Sequence, residues 1–339
     1  MNSFNQNIIY RFSVSLFFVF FLGFFNTASA QNQIEPETQK SFLLPEKTMV
    51  SENIIYKTNE NGKPIQLDIY RPKNNSSEKL PVVLYVHGGG WAQGDKIIRA
   101  DSYIENTILK LIQKNYAVLS IDYTLISPEI HFPLPIQDTK DAVRWVRKNA
   151  DKYNFDPENI GLFGASAGSH LSMLAAYTSE NEFKGSSELS GYSAKVDYVV
   201  NNFGPTDMNK LLHTRMGKIP VFFVGVFMKN IVDLRQKIIL GMSGYDINKD
   251  KRKVVQYFKT ISPITYTNTA IPTLILQGDK DKIVPMKQSK KLHKKLNKKN
   301  IQNTLTIVED GNHGFRSTDK TYLNQLTDEM VNFIVSQKN

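Results

Sequence analysis

Gly164-Ala165-Ser166-Ala167-Gly168 follows directly on the apolar run Ile160 to Phe163. A serine held between glycines where a strand turns into a helix projects its hydroxyl from a turn too tight for a flanking Cβ. Such a hydroxyl attacks a carbonyl only where a positioned base takes its proton. The pentapeptide alone also reads as the close-packed start of a helix, so the remaining chemistry must come from elsewhere. His87-Gly88-Gly89-Gly90-Trp91 follows the apolar run Pro81 to Val86. Its glycines let the backbone approach a reacting group, and the N–H groups of Gly89, Gly90 and Ala167 are the expected donors to a tetrahedral oxyanion. Two more polar loops follow strand-like runs near the C-terminus: Gly278-Asp279-Lys280-Asp281, and Asp310-Gly311-Asn312-His313-Gly314. They offer an acid, Asp279 or Asp281, and a histidine.

The elements that must position these residues are legible from periodicity. Ile54 to Tyr56 and Ile65 to Tyr70 alternate about Asn61-Gly62, the pattern of an antiparallel hairpin. From Pro81 onward the runs Val82–Val86, Ala117–Ile121, Ile160–Phe163, Val196–Val200, Thr273–Leu276 and Leu305–Val308 are nearly continuous. Runs of that kind belong to parallel strands buried on both faces. Helical patterns over 104–113, 139–150, 287–299 and 321–335 separate or close them.

The chain order of serine, aspartate and histidine, with Gln66-Leu67-Asp68-Ile69-Tyr70-Arg71-Pro72, Ile121-Asp122-Tyr123-Thr124-Leu125, Phe132-Pro133, Asp138, Ala142-Val143-Arg144-Trp145-Val146 and Phe203-Gly204-Pro205-Thr206-Asp207, resembles the α/β-hydrolase carboxylesterases of the hormone-sensitive-lipase type. Within them it is similar to the bacterial bifunctional feruloyl/acetyl-xylan esterase group. The resemblance implies an α/β-hydrolase fold, a mostly parallel eight-stranded sheet flanked by helices, with a small helical cap inserted at about 208–258. It further implies a serine ester hydrolase acting through an acyl-enzyme on small-molecule or polysaccharide esters, without cofactor or metal. The family pattern G-x-x-D-x-x-V-P maps onto Gly278, Asp281, Val284 and Pro285, and so favours Asp281 over Asp279 as the acid. His313 then stands where the fold delivers the base. Of the other histidines, His170 lies one turn into the helix, away from the serine hydroxyl, and is expected either with Trp91 at the wall of the substrate pocket or packed against the helix. His87 is expected to brace the glycine loop, and His131, His213 and His293 to take surface or packing roles. Ser169 departs from the family, which usually has a glycine there. A serine peptidase, a formamidase-like amidase and a non-catalytic binding protein are the other functions this fold hosts.

Composition narrows the setting. Arg11 precedes the apolar stretch Phe12 to Phe25, and Ala28-Ser29-Ala30 follows, which is the pattern of a cleaved signal peptide ending at residue 30, the competing reading being an uncleaved membrane anchor. The expected organisation is a signal peptide over 1–30, a flexible leader over 31–49 and the catalytic domain over 50–339. Export to the periplasm or medium implies no nucleic-acid partner and no stable membrane anchor after cleavage. Without a single cysteine there is no disulfide framework, no thiol nucleophile and no thiolate metal ligand. The chain carries 42 basic and 32 acidic residues, net +10. Much of the excess lies in the amphipathic lysine-rich segment from Lys287 to Lys299. Ile219 to Met228 is apolar yet too short to span a bilayer, as expected of a lid or of a helix packed into the core.

Overall fold

A computed structural model describes residues 39–59, 62–74, 78–217, 229–315 and 318–338. The expected signal peptide and the apolar stretch Ile219 to Met228 lie outside the described residues. The strands are β1 (Met49–Thr58), β2 (Pro64–Arg71), β3 (Leu80–Val86), β4 (Ala117–Ile121), β5 (Phe155–Ala165), β6 (Tyr198–Asn202), β7 (Thr273–Gly278) and β8 (Asn303–Val308). The longer helices are α1 (Tyr103–Gln113), α2 (Leu134–Lys148), α3 (Ala167–Tyr177), α4 (Lys229–Ser243), α5 (Lys251–Thr260), α6 (Lys287–Asn297) and α7 (Lys320–Ser336).

All eight strands form one sheet in the order β1-β2-β4-β3-β5-β6-β7-β8. The first two pairings, β1 with β2 and β2 with β4, are antiparallel, and every pairing from β4 to β8 is parallel. This is the α/β-hydrolase architecture expected from the sequence. Alternate residues of β3 explain why its run is apolar throughout. Val82, Leu84 and Val86 join one buried cluster with Val143, Val146, Leu171 and Leu292, whereas Val83 and Tyr85 join another with Ile108, Leu111, Met330 and Ile334. Helices α2, α3 and α6 therefore cover one face, and α1 and α7 the other.

Three boundaries differ from the sequence reading. The expected flexible leader to Met49 instead packs on the domain from Lys40: Ser41 N–H donates to the Ile98 carbonyl, and Leu44 is fully buried in the short helix Leu43–Lys47. Strand β6 starts at Tyr198 and runs on through Asn201 and Asn202, whose amides hydrogen-bond inside the core, so polar side chains continue a strand that apolar content ends early. Helix α2 starts at Leu134, just after Pro133, ahead of the periodic stretch.

The inserted cap between β6 and β7 contributes the short helix Met208–Leu211, α4 and α5. Ile239, Met242, Val254 and Phe258 are fully buried and join the cluster that covers the sheet. Tyr257 Oη donates to the Phe132 carbonyl at 2.7 Å, and Phe132 N–H to the Met242 carbonyl at 3.2 Å. These described parts of the cap are one body with the domain.

Candidate active site

The carboxyl ends of β3, β5, β7 and β8 deliver the reactive groups to one edge of the sheet, where open α/β sheets bind ligands. Ser166 sits between β5 and α3 with φ 53° and ψ −114°, a conformation that costs about 1–3 kcal/mol and persists only when its surroundings impose it. Those surroundings are visible. Ser166 N–H donates to the Asn202 carbonyl at 2.9 Å, and its own carbonyl accepts from His170 N–H at 3.1 Å. A Cβ on Gly168 would lie 1.9 Å from the Val86 carbonyl oxygen, and one on Gly164 2.4 Å from the Gly168 backbone. The two glycines are needed because the turn presses α3 against β3.

Ser169 closes the same turn. Its hydroxyl donates to the Gly164 carbonyl at 2.6 Å and accepts from Asn202 N–H at 2.9 Å. The side chain that replaces the usual glycine thus ties the helix start to two strand ends.

Ser166 Oγ lies 2.9 Å from His313 Nε2, and His313 Nδ1 lies 2.8 Å from Asp281 Oδ2. In the tautomer this chain requires, Nδ1–H donates to the carboxylate and Nε2 accepts from the serine hydroxyl. Phe203 stands edge-on to the imidazole at 4.8 Å. The Asp281 side chain is fully buried and fully engaged: Oδ1 accepts from the N–H groups of Ile283 and Val284 at 2.8 and 2.9 Å, and Oδ2 also accepts from Gln277 Nε2 at 3.0 Å. Gln277 is in turn oriented by Ser289, whose hydroxyl donates to Oε1 at 2.8 Å. The sequence reading passed over Gln277 and Ser289. A glutamine closing the apolar strand Thr273–Gly278 was the available signal, since a buried amide must be hydrogen-bonded. Asp279, the rival acid, lines the cavity with its carboxylate 3.7 Å from Lys280 Nζ. Asp310 takes a left-handed turn conformation, φ 52°, and is largely exposed.

The glycine loop folds back on itself through three successive left-handed residues, Gly89 (φ 110°), Gly90 (φ 60°) and Trp91 (φ 66°). A Cβ on Gly89 would lie 2.1 Å from the Gln93 carbonyl oxygen, so only glycine fits there. Gly89, Gly90 and Ser166 line the same cavity, and Ala167 opens α3 beside them. His87 braces the loop as expected: Nδ1–H donates to the Gly88 carbonyl at 2.7 Å and the ring stacks on Tyr123 at 4.2 Å. Burial pushes its pKa down to about 4.

Of the two expected pocket residues, Trp91 lines the cavity and His170 does not. His170 is fully buried behind Trp91, whose indole N–H donates to Nδ1 at 3.2 Å, while Nε2–H donates to the Ile261 carbonyl at 2.7 Å. A histidine four residues into α3 faces the cap side of the core, where burial lowers its pKa to about 4. His213, expected in a surface or packing role, lines the cavity. The cavity measures about 1110 Å³, with apolar walls from Leu211, Leu212, Met216, Ile238 and Val284.

The BD-FAE family matches residues 67–296, about two thirds of the chain. The chain belongs to the BD-FAE family. The match spans the glycine loop, Ser166 and Asp281, and ends before His313, whose place rests on its hydrogen bonds. Esterase LipC of Mycobacterium tuberculosis is 29% identical over 68% of this chain and 51% of its own length. The chain spans about half the length of the curated relatives it matches. Among solved structures, a truncated carbohydrate esterase from gut microbiota is 28% identical with a TM-score of 0.64, covering 88% of this chain and 98% of that one. An acetyl ester-xyloside bifunctional hydrolase from Caldicellulosiruptor lactoaceticus, 22% identical over 84% of this chain and 95% of its own, shares the fold with a TM-score of 0.63. Two of these three proteins are named esterases, and the third a hydrolase of an acetyl ester.

Proposed function

We propose that this chain is an exported serine carboxylesterase that hydrolyses short-chain acyl or carbohydrate-linked esters through an acyl-enzyme. The observation that carries the reading is the unbroken hydrogen-bonded chain from Ser166 Oγ through His313 to the buried Asp281, at the floor of an apolar cavity. In this mechanism His313 Nε2 takes the serine proton as Oγ attacks the ester carbonyl. Asp281 holds the ring and stabilises the imidazolium. The negative oxygen of the tetrahedral intermediate is met by the N–H groups of Gly89, Gly90 and Ala167, the last at the positive end of α3. The imidazolium then protonates the leaving alcohol, and a water activated by the same nitrogen releases the acid.

Fixed backbone donors are worth about 3 kcal/mol each in such sites, which explains why the loop is built of residues that cannot carry side chains. Export is supported by the apolar stretch Phe12 to Phe25 before Ala28-Ser29-Ala30. The test uses protein recovered from the extracytoplasmic fraction, with an N-terminus expected at Gln31. Wild type and Ser166→Ala are assayed on p-nitrophenyl esters of increasing acyl length, methyl ferulate and acetylated xylan. Wild type is expected to favour the short acyl groups, and Ser166→Ala to keep the native melting profile while losing turnover by several orders of magnitude. Equal rates for the two proteins would refute the proposal.

A further inference from the structure

One wall of the cavity carries charge that ester hydrolysis does not use. From Lys282 to Val308 the chain holds eight lysines and no acidic residue, and without them the formal net charge would fall from +10 to +2. Lys287 and Lys291 on α6 line the cavity, as do Lys210 and Arg215 from the segment after β6. Lys287, Lys291, Lys294 and Lys298 recur at i, i+4, i+7 and i+11, so they form one stripe down the helix and its C-cap, about 16 Å long. Leu292 and Leu296 are fully buried on the opposite side, which keeps the stripe facing outward. Among the described residues, the carboxylate ion-paired with this helix is Asp207, at 2.7 Å from Lys291 Nζ.

Such a stripe works against the helix that bears it. Like charges at i and i+4 repel, and a lysine in the first turn opposes the helix dipole. A solvated helix selected for folding alone would mix signs. The stripe also starts in the cavity wall and leads away from it, which is the geometry of a track for a long anion. A membrane-binding helix pairs its lysines with exposed apolar side chains, whereas the large apolar residues of α6 are buried.

Building on the esterase reading, we propose that the ester this cavity takes is carried on a polyanionic saccharide. Carboxylates of its uronate-bearing sugars run from the cavity mouth along Lys287, Lys291, Lys294 and Lys298. Lys210 and Arg215 meet the charged groups nearest the reacting ester.

The test compares KM for an acetylated oligogalacturonate with KM for a neutral acetylated xylo-oligosaccharide of matched length, at about 20 mM and about 300 mM NaCl, since exposed charges are screened over that range. Wild type should favour the anionic substrate at low salt and lose the preference at high salt. In Lys294→Gln/Lys298→Gln the ratio of anionic to neutral KM should rise about tenfold at low salt, as expected for two exposed charge contacts. Lys294→Arg/Lys298→Arg should keep the wild-type ratio. So should Lys114→Gln/Lys148→Gln, which removes the same charge from the C-terminal ends of α1 and α2, outside the stripe. An unchanged ratio in the Lys294→Gln/Lys298→Gln protein overturns the inference. It is also overturned if that variant loses binding to phosphatidylserine vesicles while the ratio holds, because the stripe would then serve a membrane. Absence of any p-nitrophenyl acetate hydrolysis by wild type would sink the esterase reading and this inference together, whereas normal hydrolysis with an unchanged ratio sinks this inference alone.

Discussion

Asp281 divides its two carboxylate oxygens between positions: Oδ1 is held by backbone N–H groups of its own loop, and Oδ2 faces His313 with Gln277 at its side. Replacing it with asparagine keeps the shape and presents His313 Nδ1 with a group that favours the wrong tautomer. Turnover of Asp281→Asn is expected to fall about 10⁴-fold with KM little changed, while Asp279→Asn stays within about tenfold of wild-type turnover. Steady-state kinetics on one short-chain ester decide it, and the opposite ranking would reassign the acid. At this scale the places of Ser166 and His313 were legible because each stands in a Gly-containing loop just past an apolar strand, whereas Asp279 and Asp281 share one such loop and only the family resemblance separated them. The place of His170 was not. Its sequence distance from Ser166 says which face of α3 it occupies, but that Trp91 and Ile261 satisfy both ring nitrogens depends on two other segments meeting there.

The glycine loop and α3 each carry a neutral imidazole inside the core, and this links two elements of the site to pH. Burial lowers both His87 and His170 to about 4, from the ordinary 6.5. Between those values the unfolded chain binds protons that the folded chain does not. Their contribution to stability is therefore fully present above about pH 6.5 and is lost as pH falls toward 4, by about 3 kcal/mol for each ring as an order of magnitude. Denaturant midpoints measured from pH 7.5 to 4 should fall in that window. In His170→Gln, where the amide does not titrate, the fall should be shallower by roughly half of the histidine contribution. An identical pH profile for the two proteins would show that His170 does not carry the linkage. Elements were legible where apolar content defined them, as in β3, β4 and β7. They were misplaced where side chains with polar work extended them, as at Asn201 and Asn202 of β6, or where a proline started a helix ahead of its periodic stretch, as in α2.

For the whole molecule the open matter from sequence was the insertion between β6 and β7, because an apolar segment reads equally as a lid and as part of a core. The described helices answer for themselves: Ile239, Met242 and Phe258 share one buried cluster with Trp91 of the glycine loop, Leu171 of α3 and Trp145 of α2. No sequence period reports such sharing, since the contacts join segments far apart in the chain. A cap built this way cannot melt ahead of the sheet without emptying the core that both use. The chain has two tryptophans, Trp91 of the glycine loop and Trp145 of α2, which makes the claim measurable. In Trp145→Phe the remaining fluorescence reports on the site and cap, and in Trp91→Phe it reports on α2. Each variant has its own stability, so the comparison is made within each protein: the fluorescence transition in urea should coincide with the loss of far-ultraviolet circular dichroism. If the Trp91 signal in Trp145→Phe changed at clearly lower urea than the circular dichroism, the cap would be a separately unfolding lid.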